Sequence, residues 1–119
     1  MKVCVVDDDA SMRRALRRLL KAANYDVIEF ETAEALLKSE QVGSVGCLIS
    51  DLNLPGLSGL QLMDLLKQTS PAPPIIVITS FDSPGLQENV LNRGAFGYLK
   101  KPFEGEDLLE MIRRVEHPS

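Results

Sequence analysis

Histidine occurs once and cysteine twice in the 119 residues, and that scarcity removes several kinds of chemistry. A structural zinc site needs four Cys or His ligands brought together, and Cys4, Cys47 and His117 are too few. Two cysteines do not make the disulfide framework of a small secreted domain either. Each lies in an apolar run, where a reduced thiol behaves as a small hydrophobe; a disulfide would require the two runs to be neighbouring strands. No apolar segment approaches the roughly 20 residues that span a bilayer. The four apolar residues between Lys2 and Asp7 are far short of a signal-peptide core, so we expect a cytoplasmic protein with no membrane partner. Basic excess is missing too: 13 Lys and Arg against 17 Asp and Glu give a net charge of −4. That disfavours direct nucleic-acid binding, which needs a basic footprint. A phosphate-binding glycine loop is also lacking, since Gly43-Ser44-Val45-Gly46 has neither the required pattern nor a following Lys-Ser/Thr pair. It reads as a turn.

What is present fits one domain over residues 1–119, with a single core and no internal repeat or linker. Apolar, β-prone runs occur at Val3 to Val6, Asp26 to Phe30, Cys47 to Ile49, Ile75 to Ile78 and Phe96 to Leu99, with helix-period segments between them. In the first of these segments Met12, Ala15, Leu16, Leu19, Leu20 and Ala23 form one stripe, and Arg13, Arg14, Arg17, Arg18 and Lys21 the opposite face. Ser58 with Gln61 predicts a capping box after the Pro55-Gly56 loop. Ser83-Pro84 predicts the start of a fourth helix that Gly94 stops. A last helix over about Gly105 to Val115 has acidic residues at its start and arginines at its end, as the helix dipole favours. Pro71-Ala72-Pro73-Pro74 contains a PxxP spacing but sits between a helix and a strand, where a stiff connector is expected. Alternating buried strands and helices predict an α/β, doubly wound parallel sheet with five strands and five helices.

The chemistry gathers at the strand ends. Strands one, three, four and five end in Asp7 and Asp8, in Asp51, in Thr79 and Ser80, and in Lys101 before Pro102. Open α/β sheets bind ligands in the crevice beyond those ends. Grouped carboxylates repel one another, and a hard cation such as Mg²⁺, which takes one or two carboxylates plus water and phosphate oxygens, would compensate them. A carboxylate can also attack phosphorus to give an acyl phosphate when cations neutralise the transferring group. Asp51 would attack, Mg²⁺ and Lys101 would neutralise, and the Thr79 hydroxyl could bond a phosphoryl oxygen and so move the fourth strand's loop.

Four motifs in order and spacing carry a family resemblance: Val6-Asp7-Asp8, the Asp51-Leu52-Asn53-Leu54-Pro55-Gly56 segment, Ile78-Thr79-Ser80 and Lys101-Pro102-Phe103. Over essentially its whole length the chain resembles the receiver domain of bacterial two-component response regulators. The resemblance implies a flavodoxin-like sheet in order 2-1-3-4-5. It implies phosphorylation of Asp51 by a sensor histidine kinase or phosphotransfer protein. Mg²⁺ would be held by Asp7 or Asp8, Asp51 and the Asn53 backbone carbonyl, and Lys101-Pro102 would be a cis peptide. Thr79 and Tyr98 become the switch pair, and Asn53, Ser80 and Phe81 flank the phosphoryl group. A bulky Phe81 would exclude water and prolong the phosphorylated state.

The same residues admit plainer roles. Asp9 suits an N-cap of helix one, Lys100 a solvated position and Tyr98 simple packing. The basic face of helix one is either solvated or a guide for a kinase phosphotransfer domain. The resulting expectation is a phosphorylation-activated switch, not a turnover enzyme beyond accepting and slowly losing its own phosphoryl group. Its output would be a downstream target or a covalently linked effector domain, most commonly one controlling transcription, and a phosphorylation-dependent dimer through helices one and five or four and five is left open. The alternative is a stand-alone or phosphorylation-independent interaction module of the same fold. An aspartate-nucleophile phosphatase is disfavoured because a cap and a longer core are missing. A flavodoxin-like cofactor binder is disfavoured because its first turn would be acidic.

Overall fold

A computed structural model of the chain describes residues 1–81 and 83–117; Pro118 and Ser119, the end of the expected tail, lie outside the described residues. Its five strands are β1 (Lys2–Val6), β2 (Asp26–Phe30), β3 (Cys47–Asp51), β4 (Ile75–Thr79) and β5 (Gly97–Lys100). All pairs are parallel, in the order β2-β1-β3-β4-β5. The helices are α1 (Ala10–Ala22), α2 (Ala33–Lys38), α3 (Gly59–Leu66), α4 (Leu86–Asn92) and α5 (Gly105–Glu116).

Strand alternation divides the core between two faces. Cys4, Val6, Leu48, Ile75 and Val77 pack against Leu36 of α2, Leu62, Met63 and Leu66 of α3, and Val90 of α4. Val3, Val5, Cys47, Ile49, Ile76 and Ile78 pack against Leu16 and Leu20 of α1 and Leu108 and Ile112 of α5. β3 and β4 are buried along their whole length, which is why their sequences are near-continuous apolar runs. The winding changes direction between β1 and β3, and the crevice opens there.

Local signals set several boundaries. Asp9 caps α1, accepting from the Ser11 and Met12 amides, and the Ser58–Gln61 capping box opens α3 with both reciprocal bonds formed. Gly94 follows α4 at φ 108°, a backbone conformation that suits glycine. The Pro-rich segment is the α3–β4 connector, with a cis Ser70–Pro71 bond.

Two boundary expectations are corrected, and the reading of the two cysteines as reduced core residues holds. Helix α4 begins at Leu86, not at Ser83-Pro84, because Gly85 adopts φ 79° and a turn from Ser83 to Leu86 comes first. β5 begins at Gly97; Phe96 precedes it and is exposed. β1 and β3 are neighbours, but Cys4 pairs in register with Leu48 and lies on the opposite face of the sheet from Cys47, so both thiols are free. Gly43–Gly46 does form a turn, a single 3₁₀ turn at Val42–Ser44.

Candidate functional site

Asp7 follows β1 directly, Asp51 and Thr79 end β3 and β4, and Lys101 follows β5, so sheet order alone gathers them at one edge. Asp7 is fully buried and Asp51 nearly so, whereas Asp8 is exposed. Carboxylate oxygens of Asp7, Asp8 and Asp51 lie within 4.8 Å of one another. The Lys101 ammonium reaches into this corner, with Nζ 2.9 Å from Asp7 Oδ2 and 3.1 Å from Asp51 Oδ2. The Lys101–Pro102 bond preceding the last helix is cis.

Each buried carboxylate has a further donor. The Asp9 amide donates to Asp7 Oδ1 at 2.9 Å, and the Asn53 amide to Asp51 Oδ1 at 3.0 Å. Burial still pushes the Asp7 carboxyl above the usual range, against the lowering effect of the Asp9 amide and Lys101. For Lys101, burial opposes the charge, but the hydrogen bonds and charges of Asp7 and Asp51 outweigh it and hold the pKa above the ordinary lysine value. An oxygen-only donor set with surplus negative charge fits a hard divalent cation.

Thr79 is fully buried. Its Oγ1 accepts from the Asn53 side-chain amide at 3.2 Å and from the Phe81 backbone N–H at 3.0 Å. Asn53 therefore touches Asp51 through its backbone and Thr79 through its side chain. Ser80 and Phe81 are exposed beside the site, Phe81 with 56% of its surface open. Tyr98 is set apart from this corner: it is half-buried on β5 and borders a cavity of about 590 Å³ with Ser83, Pro84, Leu91 and Lys100.

The sequence did not single out two contributors for this site. The Arg13 guanidinium donates to the Asp7 carbonyl at 2.7 Å and pairs with Glu31 at 3.4 Å and Glu29 at 3.7 Å. Glu34 of α2 accepts from the Leu57 amide in the β3–α3 loop. Both act on main-chain atoms, which leave no residue-type signature; a charged residue on a helix is the only trace in the sequence.

A 2-1-3-4-5 parallel sheet with carboxylates, a hydroxyl and a lysine converging on its carboxyl edge has the build of a receiver-type signalling domain. The response regulator receiver domain family matches residues 3–113, and the chain belongs to it. Members of that family are signalling switches that work with histidine kinases and effector domains. The transcriptional regulatory protein FixJ of Bradyrhizobium diazoefficiens is 37% identical over 92% of this chain and 54% of its own length. The response regulator StyR has TM-score 0.86 at 37% identity, over 95% of this chain and 57% of that one. The BeF3-activated DrrB receiver domain has TM-score 0.87 at 29% identity, over 97% and 96%. The chain spans about half the length of FixJ and two other curated relatives that it matches. Among the described residues no helix is long and apolar enough to cross a membrane.

Proposed function

We propose that Asp51 accepts a phosphoryl group from a sensor histidine kinase or phosphotransfer protein, and that residues 1–119 form one receiver domain whose phosphorylation changes a partner-binding face. The carrying observation is the Lys101 ammonium seated between Asp7 and Asp51. It puts a fixed positive charge where a phosphoryl group on Asp51 would develop negative charge. An Asp51 carboxylate oxygen forms the new O–P bond as the donor's N–P bond breaks and the imidazole departs with the electron pair. Asp8, Asp51, Asp7 and the Asn53 backbone carbonyl would hold Mg²⁺, which when bound supplies further neutralisation of the transferring group.

Coupling to the surface runs through Thr79. With both acceptor positions of its hydroxyl taken by Asn53 and Phe81, the remaining capacity is its O–H, which can donate a hydrogen bond to a phosphoryl oxygen. Tyr98 lies two strand positions before the residue paired with Thr79, which is Lys100, and beside a cavity with room for a ring to move. The output is an effector domain or target protein, and transcriptional control is supported by relatives such as FixJ and NtrC, which are transcriptional regulators longer than this chain. Intact mass after incubation with Mg²⁺ and a small acyl-phosphate donor tests the reading. One Mg²⁺-dependent phosphoryl adduct, absent from Asp51→Asn, supports it. No adduct on the folded protein favours a phosphorylation-independent interaction module.

A further inference from the structure

Among the described residues, Glu34 Oε1 is the buried side-chain oxygen left without a hydrogen-bond partner. The anomaly has no cause in α2 itself, since Thr32 already caps that helix by accepting from the Ala35 amide, and a glutamate in the first turn of a helix is free to extend into water. Here the side chain turns inward instead and spans 23 residues of sequence so that Oε2 accepts from the Leu57 amide at 3.3 Å. Gly56 makes the approach possible: it has φ 73°, and a Cβ at that position would overlap the Glu34 carboxylate. An unpaired buried carboxylate oxygen is unfavourable, so the inward rotamer indicates that the contact with the loop outweighs what Oε1 loses.

That loop runs from Asp51 to Ser58 and contains Asn53. One end is fixed by the Asn53 amide on Asp51 and the Asn53 side chain on Thr79. The other end is fixed by the Ser58 capping box and by the Gly59 amide on the Leu52 carbonyl at 2.9 Å. Between them lies the turn at Pro55, Gly56 and Leu57, where Glu34 reaches in from another element. We propose that Glu34 is a positioning residue, a carboxylate clamp from α2 that holds the β3–α3 loop in the shape that presents Asp51 and the Asn53 carbonyl to a divalent cation. The inference rests on the cation-dependent chemistry proposed above for the same site.

The test compares the wild type with Glu34→Ala and Glu34→Gln. Alanine is the best helix former and suits an α2 position, and glutamine keeps an oxygen that can accept from Leu57 without the charge. Amide hydrogen exchange of Leu57 is read in the metal-free proteins, and Mg²⁺ affinity by titrating backbone amide resonances. Loss of one hydrogen bond corresponds to up to about a tenfold change. Glu34→Ala should exchange Leu57 about tenfold faster and bind Mg²⁺ about three- to tenfold more weakly, while Glu34→Gln stays within about twofold of the wild type on both. Wild-type exchange and affinity in Glu34→Ala would overturn the clamp. Glutamine as weak as alanine in Mg²⁺ binding would also overturn it, since the effect would then be charge alone. A wild type that binds no Mg²⁺ would overturn the proposed function and this role together, and is distinguishable from a wild type that binds Mg²⁺ no better than the alanine variant.

Discussion

Replacing Lys101 with methionine keeps an unbranched stem for packing and removes the charge. Two carboxylates then face each other without their cation: Asp7, with a fully buried side chain, and Asp51, whose side chain is 11% exposed. Removing one partner from a buried ion pair costs about 3 to 5 kcal/mol. The Lys101 side chain is itself 16% exposed, so water relieves part of that, and about 2 to 3 kcal/mol is the expected loss. At about 3 to 6 °C per kcal/mol for a domain of this size, the melting temperature should fall by about 6 to 18 °C in the absence of Mg²⁺.

Denaturant unfolding of the wild type, Lys101→Met, Asp7→Asn and the double variant separates this from a simple packing loss. Asp7→Asn removes one of the two repelling charges, so the methionine change should cost at least about 1 kcal/mol less in that background. Saturating Mg²⁺ should restore part of the stability of Lys101→Met by binding the folded state. A Lys101→Met protein within about 0.5 kcal/mol of the wild type, or a double variant whose losses simply add, would refute the argument that this ammonium compensates buried charge.

Burial and a hydrogen bond to Glu116 push the Tyr25 phenol up to about 12 from 10.0. The folded state therefore binds that proton more tightly than the unfolded state, and the associated stability is complete below pH 10 and lost as pH rises through about 12; the phenolate absorbance band, with Tyr25→Phe as reference, should show the high midpoint, and an ordinary tyrosine titration would contradict it. Both cysteines are free and buried, with thiols pushed up to about 12, so a thiol reagent at neutral pH should label neither in the folded protein and both after unfolding. Rapid labelling of the native chain would count against the assigned burial. Phe81 stands exposed next to Thr79, and if it shields a phosphorylated Asp51 from water, Phe81→Ala should shorten the lifetime of the adduct several-fold in a mass-spectrometric time course without abolishing its formation. Equal lifetimes, or a wild-type adduct that decays in seconds, would remove that role.

The strands were legible because each central one is a short, largely apolar run buried on both faces, and a residue at the end of such a run can only lie at the sheet's edge. The sequence alone therefore groups Asp7, Asp51 and Thr79, and Lys101 joins them as the residue after the fifth strand. Boundaries failed where one glycine decided them. Gly85 at φ 79° separates Ser83-Pro84 from α4, although Ser-Pro is a sound helix-start signal by itself. At Gly97 the Met111 sulfur occupies the space a Cβ would need, so β5 opens on a residue chosen for close approach of α5 and not on the bulkier Phe96. Arg13 and Glu34 were illegible for a different reason: what each holds at this site is a main-chain atom, the Asp7 carbonyl and the Leu57 amide, and only the folded geometry reveals which ones.

The parity of the strands adds a constraint on how a signal at Asp51 would travel. Asp7 and Asp51 continue the rows of Val3 and Val5 and of Cys47 and Ile49, the face covered by α1 and α5, whereas Thr79 continues the row of Ile75 and Val77 toward α3 and α4. The acidic corner and the hydroxyl thus belong to opposite faces, and Asn53 joins them, bonding one with its backbone and the other with its side chain. Because the Thr79 oxygen already accepts twice, a phosphoryl oxygen on Asp51 would gain from it only by accepting a hydrogen bond from its O–H, which would draw Thr79 toward Asp51. The Thr79 carbonyl accepts from the Lys101 amide at 2.7 Å, so that pull would bear on β5 through the backbone, three residues from Tyr98 and at the margin of α4. A signal that crosses from one face of the sheet to the other needs no long chain of side chains when one asparagine and one ladder bond span the distance.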